Sequence, residues 1–267
     1  MILGLALPYG ITLRDFAWFA AIVSIAHVVF LIITRTRYEV ALVEAAKEIA
    51  VIGAPYLAVA IVSAYLAGVD QGQMIQFLHQ VRDNMANVFL AKGACLANIR
   101  ATPIWSSWYD QAAARMGIYD MIVTTAFYTS ITLEYTFYIA HAIAAVAAAI
   151  GGAFMARPTR AIGATALAFA LVYLYGFALF QLSTVAGLAD KIGVVQVSPT
   201  SAGLFVTLDN STIYIAPGSG AAVKCDEAIA GWLQQHAQYY VNFEVAATMF
   251  LALVGTFFWA VRSTLTR

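Results

Sequence analysis

From Ala161 to Gly187 the chain runs for twenty-seven residues without a charged side chain. At 1.5 Å of rise per residue a helix of that length exceeds the ~30 Å of hydrocarbon in a bilayer. A soluble surface is not available elsewhere to compensate. Across the 267 residues 62% are hydrophobic and only 10% charged, with a mean hydropathy of +0.80, against roughly 25% charged residues in an ordinary soluble domain. An all-α polytopic membrane protein is expected, as a single membrane domain over 1–267.

Four further apolar runs complete about five spans. They are expected at 15–34, 49–69, 137–156, 161–187 and 242–261, with Pro55 kinking the second. Short basic segments separate them: Arg35, Arg37 and Lys47, then Arg157 and Arg160, then Arg262 and Arg267. Placing all three in the cytoplasm puts the N-terminus outside and the C-terminus inside a cell membrane. The opening MILGLALPYGITLRDF has neither a basic n-region nor a small-residue cleavage site, so the first span is expected to serve as its own insertion signal.

This orientation sends two long segments, 70–118 and 188–241, to the outer face. Cys95 and Cys225, the only cysteines, both fall there, on the oxidising side, and are predicted to form a disulfide that closes a loop of over a hundred residues. Asn210-Ser211-Thr212, the one clear glycosylation sequon, falls on the same side. Met74, Leu78, Val81, Met85 and Val88 step by four and three, the seam of a helix packed on another helix and expected to end near Gly93. Leu204–Leu208 and Thr212–Ala216 are β-branched and aromatic runs joined by Asp209-Asn210-Ser211, a hairpin, with Val194–Val197 as a third strand. From Asp226 the pattern turns helical, with Trp232, Leu233, His236, Tyr240 and Phe243 on one side, and Asp226 and Glu227 suit a helix N-terminus. The helical pattern from Ile118 to Ala156 is about 58 Å long. The third and fifth helices are therefore expected to project outward and pack on the 72–92 helix as a helical outer subdomain.

Ser130, Glu134, Tyr138 and His141 step by four, four and three along one face, and a carboxylate near a bilayer is a functional candidate. Glu134, Tyr138, His141 and Glu244 are the candidate pathway or vestibule residues; solvation at the interface would make the two carboxylates ordinary. Trp105 and Trp108 in ATPIWSSWYDQ fit an outer aromatic anchor or a docking point for another subunit. His27 and His141 could ligate a haem on neighbouring helices, but they lie roughly 18 Å and roughly 7 Å below the outer end of their spans, and helix-packing hydrogen bonds suit them better. No GxSxG, HExxH, P-loop or dinucleotide fingerprint is present. A non-enzyme without cofactor or metal is expected.

An outer N-terminus, five spans, a large outer loop carrying Trp105 and Trp108 and a cytoplasmic end resemble the CedA-type DNA-import membrane proteins of archaea. These are related to the polytopic channel component of type IV secretion and conjugation systems. The apparent hairpin in the second outer loop departs from that pattern. The resemblance implies a membrane subunit of a DNA-translocation complex, forming part of the channel or assembly platform. Implied partners are membrane lipid, an ATPase, small pilin-like membrane proteins, a DNA substrate and further copies of the chain. A stand-alone small-solute transporter or channel, with Glu134, His141 and Glu244 along its path, is the first alternative, and a haem-bearing electron-transfer subunit the second.

Overall fold

The computed structural model describes residues 69–154, 159–216 and 222–266, together with scattered helical residues between 22 and 50. Half of the expected span at 15–34 and nearly all of that at 49–69 lie outside the described residues, as do Arg35, Arg37, Arg157 and Arg267. The described chain is predominantly helical with one small antiparallel sheet. In order it forms α1 (Gln71–Ala101), a 3-10 turn Ser106–Trp108, α2 (Tyr109–Gly117), α3 (Asp120–Ala153) and α4 (Arg160–Leu188). Strands β1 (Val195–Thr200), β2 (Gly203–Leu208) and β3 (Ser211–Ile215) follow, then α5 (Ala222–Thr266). Three of these helices, α3, α4 and α5, carry stretches long and apolar enough to cross a membrane.

The chain divides into two compact units, and α3, α4 and α5 contribute to both. The first unit holds α3 from Thr136, α4 as far as Leu182, and α5 from Met249. Its helices meet through aromatic rings and small residues. Phe177 of α4 meets Phe137 of α3 edge-on at 5.1 Å and Phe250 of α5 at 4.8 Å. Gly151 lets α3 approach α4 so closely that a Cβ there would stand 2.7 Å from the backbone nitrogen of Leu167. Outward, α3 presents Ile139, Ile143, Val146 and Ile150. A five-residue π turn, Gln181–Val185, interrupts α4. Within this unit Gln181 donates to the Asp70 carbonyl at 2.9 Å. The apolar run 161–187 carries no sign of this turn.

The second unit comprises Gly72–Tyr135 and Ser183–Thr248. Met74, Leu78, Val81 and Met85 are fully buried, and α1 meets the segments of α5 and α3 in this unit where Phe77 lies 5.7 Å from Phe243 and Phe89 lies 6.2 Å from Phe127. The expected stop at Gly93 is corrected to Ala101. Glycine costs ~1 kcal/mol inside a helix, but the seam continues through Ala91, Cys95 and Ile99, all buried, and that burial outweighs it. Likewise α5 begins at Ala222 rather than Asp226, and α3 is preceded by the separate helix α2. The expected third strand is present and longer, and the sheet order is β1-β2-β3 with Val195 opposite Leu208 and Leu208 opposite Ser211. Val195, Val206, Leu208 and Ile215 turn to the core.

Cys95 and Cys225 are joined, with Cα atoms 5.9 Å apart and both side chains buried. Among the described residues the disulfide ties α1 to the first turn of α5, as predicted.

Candidate functional site

Chemistry-bearing side chains in the second unit gather in two places, one a carboxylate clamp between helices and the other a buried polar tie between helices and sheet. In the clamp, Glu134 Oε1 lies 2.8 Å from His79 Nε2, and Oε2 accepts from Arg82 Nη1 at 2.8 Å. Asp83 also accepts from Arg82 at 3.0 Å. Partial burial works against the Arg82 charge, but Asp83 and Glu134 outweigh it and hold the guanidinium above its ordinary pKa. Glu134 is thus held by His79 and Arg82 together, which fastens α3 to α1.

The second place begins at Gly193, whose φ of +66° is a left-handed conformation natural to glycine. A Cβ there would stand 2.7 Å from His236 Nε2 and 2.8 Å from Asp209 Oδ1. The Gly193 carbonyl accepts from Gln80 at 3.2 Å and from Asn84 at 2.9 Å. Asn84, only 2% exposed, uses both its amide protons and its oxygen: it donates to Tyr240 Oη at 3.0 Å as well, and accepts from the Val195 backbone N–H at 2.9 Å. Tyr240 in turn donates to the Ile192 carbonyl at 2.8 Å.

Asp209, at the β2–β3 turn, completes the tie. It adopts φ +51°, which short polar side chains tolerate better than others. Its Oδ1 accepts from the Val194 N–H at 2.7 Å and its Oδ2 from Trp232 Nε1 at 3.0 Å. His236 stacks on Trp232 with centroids 4.5 Å apart; its Nδ1 donates to the Trp232 carbonyl at 2.9 Å, and its Nε2 faces Asp209 Oδ2 at 3.5 Å. With acceptors facing both ring nitrogens, this histidine links the hairpin turn to α5.

The sequence-selected residues are only partly brought together. Glu134 and Glu244 have separate partners: Glu244, in this unit, accepts from Thr125 at 2.7 Å. Tyr138 and His141 belong to the first unit. Tyr138 is exposed, and His141 stacks on Phe137 beside a small recess formed with Tyr173 and Phe177. Ser130 is buried and donates to its own helix at Phe127. Trp105 and Trp108 pair edge-on at 6.2 Å, and Trp108 and Ile104 are exposed at the turn between α1 and α2. Asp226 and Glu227, expected at a helix N-terminus, lie past the first turn of α5, which holds no acid, and instead accept from Arg115 at 3.2 and 3.3 Å.

Asn84, Gly193 and Asp209 are missed by sequence reasoning as a connected set. The signal was present for Asn84, a polar residue beside Met85 in an apolar seam. Among the described residues no group of three or more histidines, cysteines or carboxylates is placed to hold a metal ion. Of the cations in segments 70–118 and 188–241, Arg82, Lys92 and Arg115 are each bound by carboxylates, Lys92 by Asp120. These three are therefore poor candidates for a dense phosphate-binding patch.

No protein-family profile, curated protein or solved structure matches the chain.

Proposed function

We propose that this chain is a membrane subunit of a DNA-translocation complex, part of its channel or assembly platform, with the second unit on the outer face as its docking surface. The observation that carries the reading is the second unit itself. Nearly half the chain forms a folded body with its own core and disulfide, far more than short connections between spans require, and its polar groups fasten helices and sheet to one another. An ordered body of that kind is better suited to binding partners than to conducting a solute. The DNA element comes from the resemblance to CedA-type and type IV secretion channel components.

Five spans, with the N-terminus outside and the C-terminus cytoplasmic, are part of the proposal. The exposed side of α5 supports the last boundary: it carries Glu227, Gln234, Gln238 and Asn242, then changes to Val245, Met249, Leu253, Phe257 and Trp259. Arg262 lies over the Trp259 ring at 5.0 Å, an arrangement suited to a cytoplasmic interface. The disulfide supports an oxidising location for the second unit.

Deletion of the gene, followed by parallel assays of cell-to-cell DNA transfer and small-solute uptake, tests the reading. Loss of DNA transfer with uptake intact is expected. Loss of uptake with DNA transfer intact would reject it in favour of a transporter.

A further inference from the structure

We propose that Asn210 is a site of N-linked glycosylation and that its glycan shields the open edge of the sheet. This rests on the outer placement of the second unit given above. The sequon Asn210-Ser211-Thr212 sits where the fold presents it best. Asn210 is the second residue of the two-residue connection between β2 and β3; it is exposed, and so are Ser211 and Thr212. The connection is held from beneath, because Asp209 is fixed by Val194 and Trp232. Asn210 therefore points away from the tie without being needed by it.

The sheet gives the modification a purpose. Its two outer strands differ in how their edges are protected. Strand β1 contains Pro199, which lacks a backbone donor, and the backbone at Val195 is taken up by Asn84 and Asn87 of α1. Strand β3, with the sequence STIYI, has neither a charge nor a proline, and among the described residues it pairs only with β2. An exposed, uncharged strand edge is a template for pairing with another chain. The outward face beside it pairs Phe205 with Tyr214 at 4.6 Å and Thr207 with Thr212 at 3.2 Å. A bulky hydrophilic group attached one residue before β3 covers that edge.

The donor is a lipid-linked oligosaccharide activated as a phosphate or diphosphate ester, used by a membrane oligosaccharyltransferase. A bond forms between Asn210 Nδ2 and the anomeric carbon. The carbon–oxygen bond to the lipid phosphate breaks, that phosphate leaves with the bonding electrons, and one amide proton passes to base.

The test translates the full chain into endoplasmic-reticulum microsomes and reads glycosidase-sensitive mass by gel shift and glycopeptide mass spectrometry. One glycan on the peptide containing Asn210 is expected. It is expected to vanish in Asn210→Gln and in Thr212→Ala and to persist in Ser211→Ala. A control pair, Thr200→Asn with Ala202→Thr, writes a second sequon at the exposed β1–β2 turn of the same unit. Glycan on that added sequon but not on Asn210 overturns the proposal and leaves the outer placement standing. Glycan on neither overturns both.

Discussion

Replacing Asn84 with alanine removes three hydrogen bonds from a side chain that is 2% exposed. Their consequences differ. The Gly193 carbonyl keeps Gln80, and the Tyr240 hydroxyl keeps the Ile192 carbonyl, so each loss there is near the ~1 kcal/mol of an ordinary bond. The Val195 N–H is buried and depends on Asn84 Oδ1; leaving such a donor unpaired costs about 1–3 kcal/mol. Together the substitution is expected to destabilise the second unit by about 3–5 kcal/mol. In a thermal melt of the purified protein in detergent this corresponds to a fall of roughly 6–20 °C, at about 2–4 °C per kcal/mol. Amide hydrogen exchange gives the sharper readout, because Val195 and its neighbours at the start of β1 should lose protection before the core of α1 does. Gln80→Ala is the control, removing only one of two donors to Gly193, and should cost under about 1 kcal/mol. A melting point for Asn84→Ala within a degree of wild type, with Val195 still protected, would refute the reasoning.

Three further outcomes are expected. Cys225→Ser, which opens a loop of 130 residues, should cost up to about 5 kcal/mol on chain-entropy grounds; a melt insensitive to reductant in the wild type would contradict it. Arg82→Ala leaves Glu134 with His79 alone and should cost about 1–2 kcal/mol, discounted for the partial exposure of Arg82, while the double variant with Glu134→Gln should recover part of the loss in a double-mutant cycle. Gly151→Ala, whose new Cβ would meet the Leu167 backbone, should cost about 1–3 kcal/mol in the first unit without altering exchange in the sheet, and an unchanged melt would show that the α3–α4 approach is looser.

Much of the second unit was legible because its signals are local. The seam from Met74 to Val88 repeats at helical spacing, the hairpin runs alternate around a polar turn, and each pattern survives in a short window. The stop at Gly93 misled because a local helix breaker was set against burial supplied by other elements. The polar ties were not legible for the same reason. Asn84 and Tyr240 are 156 residues apart, and Glu134 is 55 residues from His79, so nothing in either local sequence names the partner. Glu134 read as a pathway carboxylate because its distance from a bilayer can be estimated from span length, whereas its Arg82 partner cannot. The π turn in α4 leaves hydropathy unchanged and so left no trace.

The side of the membrane on which the disulfide-bearing unit lies decides most. Intact cells expressing Ser201→Cys, at the exposed β1–β2 turn, or Thr266→Cys, at the end of α5, can be treated with a membrane-impermeant maleimide before and after permeabilisation. Labelling of Ser201→Cys on intact cells, and of Thr266→Cys only once the membrane is opened, is the predicted result. Labelling of Thr266→Cys on intact cells with Ser201→Cys protected would contradict an outer docking unit.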